Sequence, residues 1–383
     1  DHRDLHSFPT RRSSDLYALL TVLLLLLVEG ISSGLLIGLD LYRLSAKISP
    51  QRNHLRYDPD LGWSSKPNFY VQNMYAPGVY LKTNSQGFRN EEDIAPEVPG
   101  GKHRIICLGD SFTLGDGVSN DKTWCHQLSV LEPDLETVNM GQGGYGIDQA
   151  YLWYLRDGLK LRHQIVIFAF IADDFRRMSQ TYPNKPYLIW NGEQLEVHNT
   201  PVSYGAYLSS RFSKQLSVLD RLRTTELIRM ICDRFVRKND SAELTTDFVG
   251  IMGTSLKVFE ELDQLARSRG AKALFVYLPG YEEHSFKVTE PLRNFLAREF
   301  KVRRLNYLDL TESLKKYSAT EARKFYLERK DVPFAADPET AARHYSPRGH
   351  QFVAANIYHY LMNEKNGPGG VGQNLAADRT ASL

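Results

Sequence analysis

Two residue types set what this sequence could do: a serine behind Gly-Asp, and a histidine far downstream. Ser111 stands in Gly109-Asp110-Ser111, directly after the short apolar run Ile105 to Leu108. A serine where a buried strand ends and a helix begins is exposed at the sheet's working edge. There its own backbone N–H, aided by the helix dipole, can stabilise an oxyanion. The same placement also suits a plain helix cap. His344 opens the stretch His344-Tyr345-Ser346-Pro347-Arg348-Gly349-His350, which leads into the last helical segment. Alone it reads equally as a surface residue. Beside Ser111 it is the base a serine needs to become a nucleophile at neutral pH. Between them lies Asn139-Met140-Gly141-Gln142-Gly143-Gly144-Tyr145-Gly146. So many glycines suit a backbone that approaches a ligand, or an ordinary flexible loop. The lysine and spacing of a phosphate loop are absent.

Elements that alternate between strand and helix must position these residues. Ile105 to Leu108, Glu136 to Met140, Ile165 to Ile171, Ala273 to Leu278 and Leu305 to Leu310 read as strands, the first and third of them apolar runs. Trp124 to Leu131, Asp148 to Leu161, Leu256 to Ala266, Leu292 to Phe300 and Phe352 to Leu361 read as helices. Apolar strands separated by helices imply a parallel sheet covered on both faces, with ligands beyond the carboxyl ends of the strands. An insertion spans residues 176–250. It opens with a hairpin, Tyr187 to Trp190 and Leu195 to Val197, turned at Asn191-Gly192. A basic amphipathic stretch, Phe212 to Lys238, follows as a docked surface helix, a lid or a membrane-lying face.

The balance of 47 Lys and Arg against 45 Asp and Glu gives no electrostatic argument for a nucleic-acid partner. Cys107, Cys125 and Cys232 are odd in number and far apart, so they form no disulfide framework. Cys107 reads as a small buried hydrophobe. Residues 1–16 contain HSFPTRRSSDL, which resembles a translated sequencing adapter and is expected to be an artefact with no part in the fold. Residues 17–39 are long and apolar enough to be expected to span a bilayer or act as a signal anchor. Glu29 within them is costly at mid-membrane, so the span either ends near Val28 or is a cleaved signal sequence; a buried core helix is the remaining reading. Residues 40–103 read as a small N-terminal extension and linker, 104–363 as the main domain, and the polar, Gly-rich residues 364–383 as a disordered tail.

Three blocks in order resemble the SGNH (GDSL-like) hydrolases: GDSFTLGDG, NMGQGGYG and HYSPRGH. Leu61-Gly62-Trp63 and Asn84-Ser85-Gln86-Gly87-Phe88-Arg89 resemble the extension of bacterial membrane-anchored members. The resemblance covers roughly Arg104 to Leu361. It implies a flavodoxin-like three-layer α/β fold, no metal or other cofactor, and action on acyl esters, often of glycans or lipids. It implies Ser111 as nucleophile, His344 as base and Gly144 as an oxyanion donor. It also implies a membrane-anchored protein working in the periplasm or outside the cell. Two positions depart from the pattern. Asp173 stands where an oxyanion-donating asparagine belongs, and an ionised carboxylate has no proton to donate. If the acyl oxygen sits where the resemblance places it, Asp173 can help only when protonated, and burial beside developing negative charge would raise its pKa; the alternative is that it points away and binds a substrate hydroxyl or a backbone amide. Ala341 stands three residues before the histidine, where an aspartate is usual, with Asp337 and Glu339 as nearby substitutes and Asp337 the better placed. The expected function is therefore a serine esterase or O-acyltransferase using a Ser-His dyad or a Ser-His-Asp triad. The rival is a catalytically weak glycan-binding protein with the same cleft.

Overall fold

The computed structural model describes residues 10–47, 52–178, 183–208, 210, 240–335 and 338–363. They fall into two compact units. One holds residues up to Ser49 with Leu208–Glu243; the other holds Pro50–Tyr207 with Leu244–Leu383.

In the first unit helix α1 runs Thr10–Lys47. Its apolar side chains from Leu16 to Ile31, including the run Leu23 to Leu27, are each about half exposed or more. Among the described residues no helix is long and apolar enough to cross a membrane, so the expected span over residues 17–39 is not supported.

The second unit begins with two small antiparallel pairs, β1 (Leu55–Asp58) with β2 (Gly62–Ser65) and β3 (Tyr70–Val71) with β4 (Leu81–Lys82). The main sheet follows. Its strands are β5 (His103–Gly109), β6 (Leu135–Gly141), β7 (Ile165–Phe170), then, after the hairpin β8 (Tyr187–Trp190) and β9 (Leu195–His198), β10 (Lys272–Tyr277) and β11 (Tyr307–Asp309). All neighbours in it are parallel, in the order β11-β10-β7-β5-β6. Numbered along the chain this is 2-1-3-4-5, the flavodoxin-like order. Its switch point lies between β5 and β7, where a ligand crevice is expected.

Period-two alternation explains how short strands build two cores. Ile165, Ile167 and Ala169 of β7 face one cluster with Trp124, Leu128, Val353 and Ile357. Val166, Phe168 and Phe170 face the other with Tyr154, Phe259 and Phe300. In chain order the helices after α1 include α2 (Ser111–Leu114), α3 (Trp124–Leu131), α4 (Ile147–Arg156), α5 (Ala172–Arg177), α6 (Asp240–Ser268), α7 (Glu290–Arg303), α8 (Thr311–Leu314), α9 (Ala319–Arg323), α10 (Pro338–Ala341) and α11 (Pro347–Met362). Helices α3 and α11 cover one face of the sheet; α4, α6 and α7 cover the other. The five expected strands and the Asn191-Gly192 hairpin are present, the latter with Trp190 opposite Leu195. The helix expected over Asp148 to Leu161 stops at Arg156 and continues as a short 3₁₀ turn, Gly158–Lys160. Phe212 to Lys238 and the tail from Glu364 lie outside the described residues.

The N-terminal extension is woven into this unit. Leu61, Phe88 and Ile94 are buried in the same core cluster as β5, β6 and β7. Cys107 and Cys125 are buried free thiols, as a small-hydrophobe reading of Cys107 expects.

Candidate active site

The nucleophile is placed by the end of β5. Asp110 is the N-cap of α2, its Oδ1 accepting the Phe112 N–H at 2.9 Å. Ser111 is therefore the first helical residue and not the cap, which removes the blander reading of that serine. The end of β6 comes up against the same helix. A Cβ on Gly141 would lie 2.0 Å from the Leu114 nitrogen, so only glycine permits this approach. Arg89, buried, donates to the carbonyls of Leu114 (2.7 Å), Gly115 (2.6 Å) and Val118. These include acceptors that a four-residue helix leaves open at its C-terminus.

His344 comes from the turn between α10 and α11. Its Nε2 lies 2.6 Å from Ser111 Oγ. Its Nδ1 lies 3.1 Å from the Thr340 carbonyl and 3.3 Å from that of Ala341. Two carbonyls can only accept, so the neutral ring carries its proton on Nδ1 and presents the Nε2 lone pair to the serine. The Phe112 ring lies against the imidazole with centroids 4.7 Å apart and limits its tilt. Asp337 lies outside the described residues. Glu339, the other substitute, is exposed and paired with Arg329 at 2.8 Å. The second histidine of the block plays another part. His350 is fully buried, accepts the Trp124 N–H at 3.1 Å on Nδ1, and is pushed down to about 3 by burial, so it stays neutral.

On the opposite side, Arg177 of α5 joins the ends of three strands. It donates to Asp110 Oδ2 at 2.9 Å after β5, to the Tyr145 carbonyl at 3.2 Å after β6, and to Asp174 Oδ1 at 2.6 Å after β7. Asp174 also accepts the Ile171 N–H at 3.0 Å. Burial, and then the like charge of Asp110, push the Asp174 carboxyl up against the pull of Arg177. Ser111 Oγ is 3.5 Å from Asp110 Oδ2, much farther than from His344. The shorter contact directs the serine proton to the histidine.

Asp173 corrects the sequence expectation. Partial burial would raise it, but Arg176 and Arg177 outweigh that and hold its carboxyl below the usual carboxylate range. Arg176 contacts both its oxygens, at 2.7 and 3.0 Å, and Arg177 lies 3.3 Å away. It is an ion-paired acceptor and not the protonated donor the oxyanion would need. Gly144, at φ +79°, lines the same cleft as Ser111, His344 and Asp173. Its loop is held from behind by the Trp63 indole N–H, which donates to the Gly143 carbonyl at 3.0 Å. The cleft encloses about 780 Å³, within the usual range for a small-molecule site.

Sequence reasoning missed Arg177, Asp110 and Asp174, and the two carbonyls on His344. Asp174 and Arg177 sit in a short polar helix whose letters do not name their partners, and a main-chain acceptor has no residue type at all.

No family model and no curated protein matches this sequence. Solved structures do resemble the chain. They include an acetyl xylan esterase, AlAXEase (14% identity, 67% of this chain and 98% of that one, TM-score 0.37). A lipolytic G-D-S-L protein from Veillonella parvula gives 11% identity, 68% and 99% coverage and TM-score 0.35. A lipase/acylhydrolase from Enterococcus faecalis gives 13%, 68%, 95% and 0.34.

Proposed function

We propose that this chain is a serine esterase or O-acyltransferase acting on acyl esters of glycans or lipids. The observation that carries the reading is the 2.6 Å contact between Ser111 Oγ and a His344 ring whose Nδ1 is held by two carbonyls. Ser111 Oγ attacks the acyl carbon while its proton passes to His344 Nε2. The N–H groups of Ser111 and Gly144 receive the oxyanion. As the carbon–oxygen bond to the alcohol breaks, His344 gives its proton to the leaving oxygen. Water, or a sugar hydroxyl in the transferase case, then attacks the acyl-serine with His344 again as base, and Ser111 recovers its proton. No metal enters this scheme.

The chain is further proposed to be held at a membrane through α1, with its site in the periplasm or outside the cell. The support is the row of exposed apolar side chains from Leu16 to Ile31. The second reading, a catalytically weak glycan binder, is favoured by the ionised Asp173, which leaves one oxyanion donor unfilled. A fluorophosphonate probe separates the two. Wild type should be labelled at Ser111 and Ser111→Ala should not; absence of labelling in the wild type would overturn the esterase reading.

A further inference from the structure

The loop after β10, from Gly280 to Thr289, forms one side of the Ser111 cleft and carries an unusual set of side chains. Tyr281, Phe286 and Val288 line the same cavity as Ser111 and His344. They are 39%, 61% and 82% exposed. One exposed hydrophobe on a protein surface needs no explanation; three on a single loop facing one cleft form a patch.

The loop is pinned, so this exposure is presented by a built frame. Glu283 is partly buried beneath it and accepts from the Gly280 N–H (3.1 Å), the Thr289 hydroxyl (2.6 Å) and the Tyr277 hydroxyl (3.0 Å). One carboxylate thus ties both ends of the loop to β10. His284 Nε2 lies 2.9 Å from the Tyr317 carbonyl, and the Tyr326 hydroxyl donates to the carbonyls of Pro279 and Gly280. The Tyr281 ring meets Tyr326 edge-on at 5.4 Å. Phe112 and Ile171 continue the apolar lining toward the serine.

Resting on the serine-ester reading above, we infer that this lip binds the acyl chain, and that the acyl groups handled are alkyl chains longer than acetyl. The cavity is far larger than an acetyl group requires. Each methylene moved from water onto such a wall should raise kcat/KM about fourfold until the wall is filled.

The test uses the full-length protein and p-nitrophenyl acetate, butyrate, hexanoate and octanoate below their aggregation limits. The expected result is a kcat/KM that climbs with acyl length. The hexanoate-to-acetate ratio should fall at least tenfold in Phe286→Ser/Val288→Ser, whose exposed positions leave the fold intact by thermal melt. Alkyl acetates of increasing alcohol length form the second arm. A response to alcohol length alone would overturn the assignment to the acyl side. Labelling rates with ethyl and octyl fluorophosphonates give a readout independent of turnover, and should favour octyl in the wild type. Labelling of Ser111 with best turnover of acetate and no effect of the double variant overturns this inference and leaves the esterase reading standing. No labelling and no turnover of any ester removes both.

Discussion

The two flanks of Ser111 are held by different physics. On the His344 flank the ring is oriented by main-chain carbonyls of Thr340 and Ala341 and by the face of Phe112. On the Arg177 flank, one guanidinium serves two buried carboxylates and a carbonyl from three strand ends. The first arrangement rests on main-chain acceptors, which no substitution can delete. The second depends on a single cation in a place where unpaired charge is expensive. Catalytic direction is thus secured by backbone, while the register of the strand ends hangs on one side chain.

The comparison is broken most severely at its centre. Ser111→Ala and His344→Ala should each lower ester turnover on the order of 10⁵-fold, and the double variant should be little worse, because the pair acts as a unit. A double variant far below both singles would show that they act separately. If the carbonyls are enough to orient the ring, Asp337→Ala should cost less than about tenfold; a loss of 10³-fold would make it a true triad member. On the other flank, Arg177→Met strands Asp110 and Asp174 without their cation. Breaking such a pair costs about 3–5 kcal/mol, to be read from urea denaturation. Arg177→Lys should fall between, since an ammonium keeps the charge but lacks the second nitrogen with which Arg177 also reaches Asp173. Adding Asp174→Asn to Arg177→Met should recover part of the loss, since one carboxylate is then gone. A fully stable Arg177→Met would dismiss the staple.

The smallest effect belongs to Asp173. Its folded pKa is lowered, so its contribution is present above the ordinary carboxylate pKa and is lost as pH falls through the folded value. The pair is partly exposed, so Asp173→Asn should cost at most about 0.5 kcal/mol near neutral pH, a difference that closes in acid below roughly pH 4. Because the carboxylate is already ionised at neutral pH, the variant should show no selective gain on the alkaline side of a pH–rate profile. An alkaline gain would put Asp173 back into the oxyanion hole.

What the sequence revealed follows the same division. Strands such as Ile165–Phe170 are legible because both faces are buried and every residue is apolar. Ser111 and His344 are legible because reactive side chains have types and neighbours. Thr340 and Ala341 act through carbonyls, which every residue has, so nothing in their letters marks them. Arg177 could not be assigned because its partners lie 67, 32 and 3 residues away in sequence and meet only when three strands align. Asp173 misled because its environment was inferred from a chemical role, while the deciding charges were Arg176 and Arg177 close along the chain.

The separation of β7 from β10 has a consequence for how the molecule is made. Phe170 and Lys272 end and begin neighbouring strands, about 100 residues apart. An ordinary strand-helix-strand crossover takes roughly 30 residues. Loop-closure entropy grows only with the logarithm of length, so the finished sheet gives up only about 1 kcal/mol for this detour. The burden falls on the clock. Until β10 arrives, β7 is an open edge of six apolar residues with an unpaired hydrogen-bond ladder, able to capture the same edge of another chain. Refolding yield should therefore depend steeply on protein concentration, even for a chain whose final structure tolerates the long detour.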